Sequence, residues 1–185
     1  NVADLTGANL RQASFSFAEL HFADLREAML LEAGFFGVDL RETLFTEKQL
    51  RQTGLARAIM WNMNLSGYDL SGAELERASL AGANLTRADL HEAHLHEANL
   101  EDVTLSHANL QGAHLGGAYL MGARLDHANL QAALLVGAEL VGADLREADL
   151  TAADLRVANL TGADLRGAIL TNANLERARM EHALL

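Results

Sequence analysis

Leucine returns at every fifth position along almost the whole chain, and a small apolar residue stands two places before each. Thirty-two of the 37 positions divisible by five are Leu, and 30 of the 37 positions two residues earlier are Ala. Phe15, Phe35, Phe45, Met60 and Met180 fill the other five beat positions. A helix turns about 100° per residue, so a five-residue step smears leucines over every side. A straight strand alternates its faces, so an odd step sends successive leucines to opposite sides. The pattern is satisfied only if the chain bends once in every five residues. Ala at i−2 and Leu at i then share an inward face, while i−1, i+1 and i+2 look outward. Short extended sides joined by corners wind round an interior of Leu and Ala, which predicts an all-β solenoid.

The clearest stretch, residues 138–170, reads AELVGADLREADLTAADLRVANLTGADLRGAIL. Units such as ADLRE (143–147), ANLTG (158–162) and ANLTR (83–87) resemble the pentapeptide-repeat proteins, whose consensus is A(D/N)LXX. That resemblance runs through nearly all 185 residues without a net slip in register. It implies a right-handed quadrilateral β-helix with four pentapeptides to a coil, so that residues 20 apart are neighbours in adjacent coils. About nine coils at a strand spacing of ~4.8 Å give a rod roughly 45 Å long. The expected organisation is a single solenoid over residues 1–185: N-terminal coils in 1–45, an interruption in 46–68, regular coils in 69–175, and a C-terminal cap or final coil in 176–185.

Departures from the beat are where recognition is expected. The first coils carry Phe17, Phe22, Met29, Leu31 and Phe36 at outward slots. They form either a partner-binding patch or a surface covered by further chain. Phe15 and Phe35, 20 apart on the beat, should stack inside. From Phe45 to Tyr68 the consensus fails: Lys48, the only Lys of the chain, occupies an interior Ala slot. An unpaired buried ammonium is very costly, so the backbone must leave the coil path here. Thr46 followed three residues later by Gln49 forms a capping-box pattern, and residues 47–52 favour helix. A short helical or loop excursion near residues 46–63 is predicted, packed by Met60, Trp61, Met63 and Tyr68. Twelve of the 15 Gly fall at i+2, where a corner benefits from a residue without Cβ.

Composition narrows the function more than the fold. A net charge of −11, from 25 acidic and 14 basic residues, removes the basic face that direct nucleic-acid binding needs. It is first an ordinary way for a rod to stay soluble, and it is compatible with one that imitates nucleic acid. No apolar run approaches the ~20 residues of a membrane span, and with no Cys there is no thiol nucleophile or thiolate metal site. The default location is the cytoplasm. Between Ala88 and Ala123 lies an acidic belt of Asp89, Glu92, Glu97, Glu101 and Asp102 without one Lys or Arg. His91, His94, His96, His107 and His114 share this belt, and the 20-residue ruler stacks His94 on His114 and His107 on His127. No familiar metal-ligand spacing appears, so no metal site is assigned. Arg77 should pair with Glu97, and Asp144 and Arg146 should stack on Asp164 and Arg166.

No catalytic constellation, phosphate-cradling loop or cofactor motif emerges, so the chain is not expected to be an enzyme and no cofactor is expected. The leading expectation is a protein-interaction scaffold with an unidentified protein partner. Its candidate surface is Lys48, Trp61, Tyr68, Phe17, Phe22 and Phe36 together with the five acids of the belt. The alternative implied by the resemblance is a double-stranded DNA mimic that binds DNA gyrase or topoisomerase IV. The same resemblance implies that an end of the solenoid can form a homodimer.

Overall fold

In a computed structural model the chain is described over residues 4–185; the first three residues of the expected N-terminal coils lie outside these. The chain winds into a right-handed quadrilateral β-helix. Parallel bridges join residues 20 apart, from Asp4 with Asp24 through to Asp164 with Leu184.

The backbone hydrogen bonds of one unit explain its consensus. Leu110 O accepts from Ala113 N–H at 3.0 Å, closing a four-residue turn whose third residue, Gly112, has φ +65°. Leu110 N–H and Gly112 N–H donate to Asn129 O and Gln131 O of the next coil at 2.7 and 2.9 Å. His114 N–H donates back to Ala93 O of the preceding coil at 2.9 Å. The amide at i+1 has no place in this ladder. A short polar side chain at i−1 caps it instead: Asp149 Oδ1 accepts from Thr151 N–H at 2.9 Å, and Asn99 Oδ1 from Glu101 N–H at 3.0 Å. Ala therefore fits against the neighbouring side, Asp or Asn satisfies the corner amide, and Leu fills the axis. Leu105 to Leu155 leave no space along that axis for a water molecule, and Phe15 stacks on Phe35 at 5.1 Å as the ruler predicts.

One element departs from the beat. Helix α1, Glu47–Arg51, occupies part of the third coil. It turns Lys48 into solvent and buries Gln49 and Leu50. Gln49 Oε1 accepts from Thr46 N–H at 2.7 Å, which holds the first turn. In a regular coil the residue-49 amide would reach back to Ala28 O, and residue 48 would offer its carbonyl to Asp69 N–H. Inside α1 these roles pass to side chains: Gln49 Nε2 donates to Ala28 O at 2.9 Å, and Glu47 Oε1 accepts from Asp69 N–H at 2.5 Å. Thr43 and Thr53, on the interior Ala column beside it, satisfy their hydroxyls on Leu20 O and Leu50 O at 3.1 and 2.9 Å.

The excursion is narrower than residues 46–63. Gly34 bridges Gly54, and Gly54 bridges Glu74, so the 20-residue register passes through α1 unbroken. The helix replaces a corner and adds no residues. Met60 lies on the axis, Met63 and Tyr68 sit half-buried on the Ala column, and Trp61 faces outward beneath the Arg41 guanidinium at 3.8 Å. Of the residues expected to pack the excursion, Trp61 lies instead against Arg41, while Tyr68 stands 20 residues on from Lys48, one coil away on the same column. Residues 176–185 continue the coil, with Arg179 bridged to Asn159 and Leu184 to Asp164. No helix among the described residues is long and apolar enough to cross a membrane.

Candidate interaction surface

The 20-residue register sorts every outward side chain onto one of four faces. The faces centred on Leu105, Leu110, Leu115 and Leu120 are called first to fourth here. Lys48 and Tyr68 fall on the second face, Phe17 and Phe36 on the third, and Phe22 and Trp61 on the fourth. Phe17 is largely exposed and meets Phe36 edge-on at 5.4 Å, with the Arg57 guanidinium 5.2 Å from the Phe36 ring. The aromatic candidates thus form separate small clusters round the rod. The acidic belt likewise spreads over three of the four faces: Asp89 and Glu92 lie on the second face, Glu97 on the third, and Glu101 and Asp102 on the fourth. Within it Asp89 accepts from Asn109 Nδ2 at 2.9 Å, and Glu97 pairs with Arg77 at 2.7 Å as expected. Asp89 also hydrogen-bonds His91 at 2.9 Å, which raises the imidazole pKa from its ordinary 6.5.

Charge is paired locally as well as between coils. In each Asp–Leu–Arg triplet the arginine folds back onto the aspartate two residues before it. Asp24 with Arg26, Asp144 with Arg146, Asp154 with Arg156 and Asp164 with Arg166 meet at 2.5–2.6 Å, and Asp39 pairs with Arg41 in the same way. The side-chain hydrogen bonds from arginine hold the Asp24 and Asp164 carboxyls down at about 2. The single-sign ladders expected from Asp144 over Asp164 and Arg146 over Arg166 therefore become a lattice of alternating charge. The DLR triplets that carry this signal are plain in the sequence, but a ruler set to 20 residues passes over partners two residues apart.

Helix α1 edges the other distinctive surface. A groove of about 370 Å³ lies beside it, lined in part by Arg11, Arg26, Met29, Leu31, Lys48 and Gln52. Arg26 is tied to Asp24 at 2.6 Å, whereas Arg11 and Lys48 enter no ion pair among the described residues. Met29 and Leu31 are 40% and 45% exposed, and Glu27 also lines the groove, so two unpaired cations and one carboxylate flank open apolar area.

The family model described as Pentapeptide repeats matches in eight copies, over residues 3–30, 33–72, 69–106, 98–135, 123–162 and 148–185. The chain belongs to the pentapeptide-repeat family. Among solved family structures, the fold is similar to QnrB1, a plasmid-mediated fluoroquinolone resistance protein. The TM-score is 0.68 at 18% identity, covering 97% of this chain and 94% of that one. HetL, a pentapeptide repeat protein involved in heterocyst differentiation regulation in the cyanobacterium Nostoc, is 33% identical over 98% of this chain and 89% of its own, with a TM-score of 0.36. A family member from the Arabidopsis thaliana thylakoid lumen is 31% identical over 64% of this chain and 65% of its own, with a TM-score of 0.38. No curated protein sequence matches the chain. The likeness to QnrB1 is one of fold. The regular pentapeptide coils are common to the family, whereas α1 and its groove are departures from the repeat.

Proposed function

We propose that this pentapeptide-repeat protein is a non-enzymatic scaffold that presents the α1 groove to a protein partner. The observation that carries this reading is the groove itself. A filled leucine axis offers no substrate chamber, and function must then reside on the surface. The coil breaks its repeat at α1, where Arg11 and Lys48 stand beside exposed Met29 and Leu31. Such a surface suits an acidic partner segment with an apolar anchor, since complementary charge speeds docking and apolar burial holds the complex. Affinity capture with the wild-type chain and with an Arg11→Glu/Lys48→Glu variant tests this. A partner retained by the wild type should be lost or much weakened on the variant. Equal capture by both would place recognition elsewhere.

A second reading is a DNA mimic that protects DNA gyrase or topoisomerase IV. It is favoured by the fold shared with QnrB1 and by the net charge of −11. The Asp–Leu–Arg pairs weigh against it, because arginines interrupt any run of phosphate-like charge. Inhibition of gyrase supercoiling by micromolar protein would support the mimic, and its absence would remove it.

A further inference from the structure

Except at residues 27, 42, 47 and 52, the described corner residues at i+2 adopt the left-handed conformation, which points their side chains outward. Inter-coil hydrogen bonds repeat them at strand spacing. His107 and His127 occupy one such column, with φ +59° and +57°. His107 N–H donates to Asp126 O at 3.0 Å, locking the coil that carries His127 beside it. The imidazoles lie parallel, 4.8 Å apart and within 4° of coplanar orientation. Asp126, next to His127 in the chain, stands on the adjoining column. One donor atom from each of His107, Asp126 and His127 lies within 4.8 Å of the others.

We propose that His107, Asp126 and His127 form a surface site for a borderline divalent transition ion, of which zinc is the representative. Two imidazoles with a carboxylate suit zinc, nickel or copper, whereas calcium and magnesium require oxygen ligands. Neighbouring groups tune the set. Glu147, one coil beyond His127, places Oε2 3.2 Å from His127 Nδ1. A carboxylate on one ring nitrogen fixes the tautomer and leaves the opposite nitrogen as the ligand. Ser106 Oγ donates to Asp126 Oδ1 at 2.5 Å, orienting that carboxylate. Three cations stand near: Arg87 precedes His107 on its own column, Arg124 is two residues before Asp126, and Arg146 is engaged by Asp144 at 2.5 Å. Tetrahedral zinc needs its nitrogen ligands roughly 3.3 Å apart, given Zn–N bonds of about 2.0–2.1 Å. Parallel rings therefore have to tilt toward each other on binding, which both exposed side chains are free to do.

The second histidine stack supplies an internal control. His94 and His114 are equally parallel at 4.9 Å, and Glu76 Oε1 is 3.4 Å from His94 Nδ1. The His96 ring stands 5.6 Å from His114, but among the described residues no third donor atom comes within 4.8 Å of both as Asp126 does for the first pair.

The test is a zinc titration of the full chain, without a polyhistidine tag, followed by the imidazole NMR signals near neutral pH. The eight histidines make each response separable. His107 and His127 signals should move together and saturate at one equivalent, with His94 and His114 unmoved at that ratio. Calcium should have no effect. His127→Asn keeps a residue at ease in the left-handed region and should abolish saturable binding, and Asp126→Asn should weaken it at least about tenfold. Glu147→Gln should weaken it about 10–100-fold, the usual loss when a carboxylate behind a ligating imidazole is removed. Thermal unfolding without metal should be the same for all four proteins. Absence of saturable shifts, earlier movement of His94 and His114, or undiminished binding by His127→Asn would each overturn the proposal.

Discussion

An aspartate one place before the beat leucine carries two duties that substitution can separate. Its Oδ1 caps the corner amide, and in five units its carboxylate also holds an arginine two residues on. Asparagine keeps the cap and removes the charge. The Asp24 and Asp164 carboxyls titrate at about 2 in the folded chain against an ordinary 3.8. Each folded-state pKa is lowered, so its stabilising contribution is complete above the ordinary value and is lost as pH falls toward the lowered one. Urea unfolding should therefore weaken over that acid window, and Asp24→Asn/Asp164→Asn should flatten the dependence without breaking the coil. An unchanged slope would show that the pairs contribute nothing. The corner itself gives a second prediction. Gly137 has φ +68° and open space where a Cβ would sit, so Gly137→Ala should cost about 1 kcal/mol through backbone strain alone. Gly122→Ala should cost a similar amount, because the one atom its Cβ would crowd, Asp102 Oδ1 at 2.4 Å, ends an exposed side chain that can swing aside.

At the scale of elements, α1 exists because Lys48 stands where the beat asks for Ala. Rotating the backbone into a helix frees the ammonium, and Gln49 and Glu47 take over the two ladder positions that the helix vacates. Lys48→Ala/Gln49→Asn rewrites residues 46–52 as TEANLRQ, a regular unit. The variant should replace α1 with a turn bridging Met29 and Asp69, with amide-exchange protection at residues 49 and 69 to match. A persisting helix would mean that Thr46 and the flanking coils impose it. The break, its helical character and the exit of Lys48 were all legible in the sequence, because a buried ammonium allows no regular coil. Its true extent was less legible. Large residues at Met63 and Tyr68 look like further disruption, yet the Ala column accommodates them half-buried. An unslipped register already implied that α1 substitutes for a corner.

For the whole molecule, the repeat is both the strength of the reading and its limit. Residues 20 apart could be paired from sequence, and Phe15 with Phe35, His94 with His114, and Arg77 with Glu97 meet as that period requires. Groups that meet across a corner could not be paired so simply. Asp126 joins the His107 and His127 column from an adjoining one, and Met29 and Lys48 line one groove beside α1, which displaces the usual backbone. The candidate residues also proved to be distributed round three of the four faces, which a linear count of the acidic belt conceals. On the proposed function, a uniform rod carries its recognition where the repeat fails. The most direct measurement compares partner affinity, by titration calorimetry, for the wild-type chain and the regularised Lys48→Ala/Gln49→Asn variant, after thermal unfolding has shown both to be folded. Loss of most of the affinity with the coil intact is the predicted result. Equal affinity would place recognition on the regular coils and contradict the account.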